Sequence, residues 1–124
     1  MQINVITNRG VFDCTRLAYR YSDASNPTVV LYLTNKSTVT ISSKDIFSVS
    51  YVMSNTEFKH NSSYTLDWKK ALVRIFWLPE MFKCSVVTNP KDPRRLFLKY
   101  TNDNVVTLVS VWKNLTEVYV EYKT

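Results

Sequence analysis

The chain has 124 residues, 45% of them hydrophobic, a formal net charge of +6 and a single glycine. That length fits one β-rich domain over 1–124 with a real core, and no apolar run reaches the roughly 20 residues of a membrane helix. With only Gly10 present, Gly-rich phosphate loops, dinucleotide fingerprints and nucleophile elbows are excluded, because each needs several glycines for close backbone approach or strained turns.

In chain order, Gln2 to Thr7 alternates as a first strand and stops at Asn8-Arg9-Gly10. Val11 to Tyr21 reads as a long strand bulged near Asp13, with Val11, Leu17, Tyr19 and Tyr21 in phase and Arg16 and Arg20 on the other side. Ser22 to Pro27 is a loop. Thr28 to Ser43 is a hairpin turning at Asn35-Lys36, which pairs Tyr32 with Val39 and Val30 with Ile41. Asp45 to Met53 continues as a strand, and Asn55 to Ser63 is a polar loop holding the only histidine, His60.

Thr65 to Leu78 carries two patterns. WKKAL favours a helix that Thr65 would cap, while RIFWL favours a strand, so a short helix followed by extended chain is expected. Lys83 to Thr88 is a further strand, and NPKDPRR, Asn89 to Arg95, is a proline-stiffened basic loop.

Arg94 to Thr124 shows the strongest pattern: three β-rich runs divided at Thr101–Asn104 and at Lys113-Asn114. As an antiparallel meander it pairs Tyr100 with Val105, Leu98 with Thr107, Leu96 with Val109, Val109 with Val118 and Thr107 with Val120, all on a core face. The other face carries Arg95, Phe97, Lys99, Val106, Leu108, Ser110, Trp112, Glu117, Tyr119 and Glu121, with Phe97, Leu108 and Tyr119 in one row. So much apolar surface is either covered by other parts of the chain or binds a partner.

The fold expected is all-β or β-dominated with one short helix at most. A small, partly closed antiparallel barrel (OB-, PUA- or SH3-like) protects strand edges better than the alternative, a β-sandwich. Sequence repeats and domain linkers are not evident.

Chemistry is sparse. His60 has no partner at a motif spacing, and neither HExxH nor a clustered metal-ligand pattern occurs, so no enzyme activity, cofactor or metal is expected. Cys14 and Cys84 lie in no CxxC pair and read as reduced buried thiols or one disulfide. The three N-x-S/T sequons, at Asn35, Asn61 and Asn114, are too few to argue for secretion. The start, MQINVITNRG, lacks the features of a signal peptide, so a cytoplasmic protein is the default.

A basic and aromatic constellation remains: Trp68, Lys69, Lys70 and Arg74, with Arg94, Arg95, Phe97, Lys99 and Tyr119. Cations along a backbone and rings under unpaired bases are what single-stranded nucleic acid needs. The reading is a non-catalytic nucleic-acid-binding barrel, an RNA-binding regulator, with RNA favoured over DNA. The alternative is a protein-interaction or assembly module that uses a sheet face or strand edge, with a protein partner or self-association as a homo-oligomer.

Overall fold

A computed structural model describes residues 1–20, 25–61, 66–75 and 80–120. It is all-β with one short helix, and every ladder described is antiparallel. The chain divides into two compact units, Met1–Tyr51 and Val52–Thr124.

The first unit runs β1 (Gln2–Thr7), β2 (Gly10–Arg20), β3 (Thr28–Leu33), β4 (Thr38–Ser42), a 3-10 turn at Ser43–Asp45, and β5 (Ile46–Ser54), whose last residues pass into the second unit. Its strand order is β5-β1-β2-β3-β4. Period-two burial explains β1: Ile3, Val5 and Thr7 are buried while their neighbours are not. Gly10 (φ 120) closes the β1–β2 turn in a conformation that side chains disfavour. Ile3, Val5, Cys14, Val29, Leu31 and Ile41 form most of the core.

The second unit holds α1 (Asn55–His60), β6 (Lys69–Ile75), β7 (Phe82–Thr88), β8 (Arg95–Asn102), β9 (Val105–Trp112), a 3-10 turn at Lys113–Leu115, and β10 (Thr116–Val120). Its order is β10-β6-β7-β8-β9. Its core contains Ala71, Val73, Ile75, Val86, Leu98 and Val111. Among the described residues neither unit closes, since no ladder joins β4 to β5 or β9 to β10.

The two orders are one topology written twice. In each, the fifth strand pairs the first, and a three-residue 3-10 turn links fourth to fifth. The correspondence reaches individual pairs. Ile3 faces Cys14 and Val5 faces Phe12, as Ala71 faces Cys84 and Val73 faces Phe82. Leu31 faces Val39 and Val29 faces Ile41, as Leu98 faces Val109 and Leu96 faces Val111. F-x-C recurs at Phe12 and Phe82, and L-x-x-T-N at Leu31 and Leu98. Both third-to-fourth turns contain a non-glycine residue at positive φ, Lys36 (72) and Asp103 (55). These matches are too short and too widely spaced to register as a repeat in the sequence alone.

Several expectations change. The β3–β4 register is one residue from the expected one, with Tyr32 facing Thr38 and Val30 facing Thr40. The cause is a longer turn, in which Leu33 N–H donates to Ser37 O (2.9 Å) and Lys36 N–H to Leu33 O (3.0 Å). In the β8–β9 hairpin the loop has two residues rather than four, so Leu98 meets Val109 and Tyr100 meets Thr107. That shift is even, so Leu96, Leu98 and Val109 keep the core face, whereas Tyr100 and Val105, expected on it too, are exposed at the turn end of the hairpin, where the core no longer covers them. The polar loop at Asn55 begins instead as α1, whose N-cap Ser54 accepts from Glu57 N–H (3.1 Å). Ser54-x-x-Glu57 is a capping-box pattern.

Lys69–Ile75 is a strand and not a helix, because Ala71, Val73 and Ile75 are buried at a period of two; Thr65 and residues 76–78 lie outside the described residues. The three-strand meander is also overturned. β10 leaves β9 through the 3-10 turn and pairs β6, so Val118 faces Val73 and Val120 faces Ala71, in place of Val109 and Thr107. The row Phe97–Leu108–Tyr119 therefore does not exist. The β8–β9 part of that face is covered: Leu108 and Val106 are buried and α1 packs on β9.

Candidate nucleic-acid interface

The core residues of β6 point inward, so Lys70, Leu72 and Arg74 point outward by alternation. On β7, Phe82 and Cys84 pack toward the core and Lys83 turns out. On β10, Val118 packs inward and Tyr119 outward. The ladders then place Tyr119, Leu72 and Lys83 in one row across three strands. Lys70 and Arg74 stand two residues to either side of Leu72. Lys70, Arg74 and Lys83 are exposed, and Tyr119 is 50% exposed.

Among the described residues Glu117 is the carboxylate that borders this patch. Glu117 faces Arg74 and accepts the Tyr119 hydroxyl proton at 2.8 Å. That hydrogen bond, with the Glu117 charge behind it, raises the phenol's pKa, while Arg74 opposes the shift. The ring is held at its hydroxyl end. A shallow recess lined by Arg74, Asn114, Leu115, Thr116 and Glu117 adjoins it.

The structure thus gathers Lys70, Arg74 and Tyr119 from the expected set and adds Lys83. Lys83 was legible in principle, since F-K-C-S-V alternates with Lys83 out of phase with Phe82 and Cys84. The others lie elsewhere. Lys69 precedes Lys70 by one residue and is in phase with Ala71, so the two cannot line one groove. Arg94 is exposed at the corner before β8 and forms an ion pair with Asp92 (3.0 Å). Arg95 is only 8% exposed, with its guanidinium 3.8 Å from the centre of the Trp112 ring. Burial alone would raise the Asp92 carboxyl's pKa, but the Arg94 hydrogen bonds and the charges of Arg94 and Arg95 outweigh it and hold it below its ordinary value.

Lys99 sits between two rings, its Nζ 5.0 Å from the centre of Phe58 and 4.8 Å from that of Trp68. Burial lowers its pKa. Trp68 therefore serves the covering of the β8–β9 face, as a cation–π partner of the chain's own lysine. Phe97 is half-buried opposite Val87 and Ser110.

Among the described residues no cluster of His, Cys, Asp or Glu could hold a metal ion. His60 is exposed in the last turn of α1. Cys14 and Cys84 are free thiols on the core faces of the two second strands. Burial pushes the Cys84 thiol up to about 11, and burial followed by the Asp13 charge raises Cys14. Among the described residues no helix is long and apolar enough to cross a membrane. No protein-family model, curated protein or solved structure matches the chain.

Proposed function

We propose that this protein is a non-catalytic single-stranded nucleic-acid-binding protein, RNA in preference to DNA, which uses the outer face of β10, β6 and β7. Each unit is read as a small, partly closed barrel whose core draws on several strands. The observation that carries the functional reading is the row Tyr119–Leu72–Lys83 with Lys70 and Arg74 beside it. Three exposed cations can follow a phosphate backbone, and an exposed ring anchored through its hydroxyl offers a face to an unpaired base.

The test is fluorescence anisotropy with a mixed-sequence single-stranded RNA at two salt concentrations. Removing Lys70, Arg74 or Lys83 flattens the dependence of log affinity on log salt by about 0.7 for each phosphate that is no longer neutralised. Tyr119→Ala weakens binding roughly 10- to 100-fold and leaves that slope intact, because a stacked ring releases no counterions. Absence of binding to RNA and DNA of several sequences at low salt would overturn the reading.

A further inference from the structure

Glu117 is out of place on a face that holds a phosphate backbone, since like charges side by side cost affinity. It forms no ion pair with Arg74, which it faces across the β10–β6 ladder. Among the described residues the ion pairs are those of Asp92 with Arg94 and Arg95. Tyr119 fixes Glu117 instead, its hydroxyl donating to Oε2 at 2.8 Å. An ionised carboxylate has about four acceptor sites on its two oxygens. Among the described residues this is the one hydrogen bond that the Glu117 side chain accepts. Glu117 and Arg74 are both exposed, and both line the shallow recess beside the ring. The carboxylate is thus placed to accept from a ligand that brings N–H donors to the exposed face of Tyr119.

Building on the proposed function, on which this rests, we infer that Glu117 and Tyr119 together read a guanine base in the single strand. Tyr119 stacks the base, and Glu117 accepts from its Watson–Crick edge. That edge separates the four bases. Guanine presents two neighbouring donors, N1–H and N2–H, which match the two oxygens of one carboxylate. Adenine and cytosine present one amino donor beside an unprotonated ring nitrogen, so an acceptor meets the second oxygen. Uracil presents one N–H between two carbonyl oxygens. Guanine alone satisfies the carboxylate without setting acceptor against acceptor. Both hydrogen bonds are charge-assisted and so stronger than neutral ones. Because the tyrosine hydroxyl already holds the carboxylate, little side-chain freedom is lost on binding. Lys70, Arg74 and Lys83 keep their place on the phosphates, which position the strand while the base contact specifies it.

Fluorescence anisotropy at low salt tests this with short oligouridines that differ in one central base. That base is guanine, adenine, cytosine, uracil or hypoxanthine, which lacks the N2 amino group of guanine. The guanine strand should bind about 5- to 150-fold more tightly than the adenine, cytosine and uracil strands, the range for one bidentate contact to a base edge. The hypoxanthine strand should fall between them. Glu117→Gln, which exchanges an acceptor oxygen for a donor, should abolish the preference for guanine. Equal affinity for all five strands overturns the inference and leaves the proposed function standing, whereas absence of binding to every strand overturns both. A Glu117→Gln variant that keeps the guanine preference, or that binds every strand more tightly by one factor, also overturns the inference. In the first case the carboxylate takes no part, and in the second it only repels phosphate.

Discussion

The two units share one topology and differ on their outer faces. Core positions correspond closely: Val5 to Val73, Phe12 to Phe82, Cys14 to Cys84, Leu31 to Leu98. At the positions matching the candidate interface, the first unit has Gln2 for Lys70, Asn4 for Leu72, Ile6 for Arg74 and Asp13 for Lys83. There Asn4 donates to Asp13 at 2.9 Å, a neutral and acidic pairing where the second unit has an apolar and basic one. The first unit's Arg16 covers its own Tyr32 ring at 4.1 Å. Strand order constrains what faces inward, because a core must be filled. The outward set is free to differ, and this is where a function confined to one unit would be read, as the proposed interface is.

The comparison is broken most directly in the cores. Leu31 and Leu98 are both fully buried, so Leu31→Ala and Leu98→Ala should each cost about 2–5 kcal/mol in denaturant unfolding. A loss below about 1 kcal/mol at either site would mean that the two leucines are not equivalent.

A charge exchange sharpens the contrast of the faces. Lys83→Asp gives the second unit the first unit's residue and should reduce RNA affinity and its salt slope by more than Lys83→Ala does. Asp13→Asn, the matched change in the first unit, should leave the salt slope within error of the wild type.

Among the described residues α1 has no counterpart in the first unit. Ser54→Ala removes its N-cap and should cost about 1 kcal/mol. A thermal melt unchanged by this substitution would show that α1 is held by its packing on β9 alone.

The smallest effect concerns the matched thiols. Thiolate is the reactive form, so the native protein should react slowly with a disulfide reagent at neutral pH and faster as pH rises toward about 11, the Cys84 value. Cys84, half-buried, should react before the buried Cys14. Equal rates in the native and denatured protein would contradict their burial.

Period-two alternation made most of the strands legible, since the facing of a strand residue depends on its neighbours alone. By itself the sequence determined β1, β2, β3, β5 and β7 nearly to their ends, and the core side of Leu96, Leu98 and Val109. It also located the basic and aromatic side chains, though not which of them would meet. Ser54-x-x-Glu57 carried the signal for α1, hidden by the polarity of the residues around it.

Tertiary structure decided the rest because strand partners are chosen by distant chain. Tyr119 and Leu72 are 47 positions apart in the sequence, and only the β10–β6 ladder brings them together. Lys-Lys-Ala-Leu has good intrinsic helix propensity. It is extended because β7 and β10 pair it on both sides and bury Ala71, Val73 and Ile75. Turn length decided the β3–β4 register, through one lysine at positive φ that no local pattern marks. Local alternation specifies a face, whereas register and partner depend on which pairing satisfies the backbone and fills the core together.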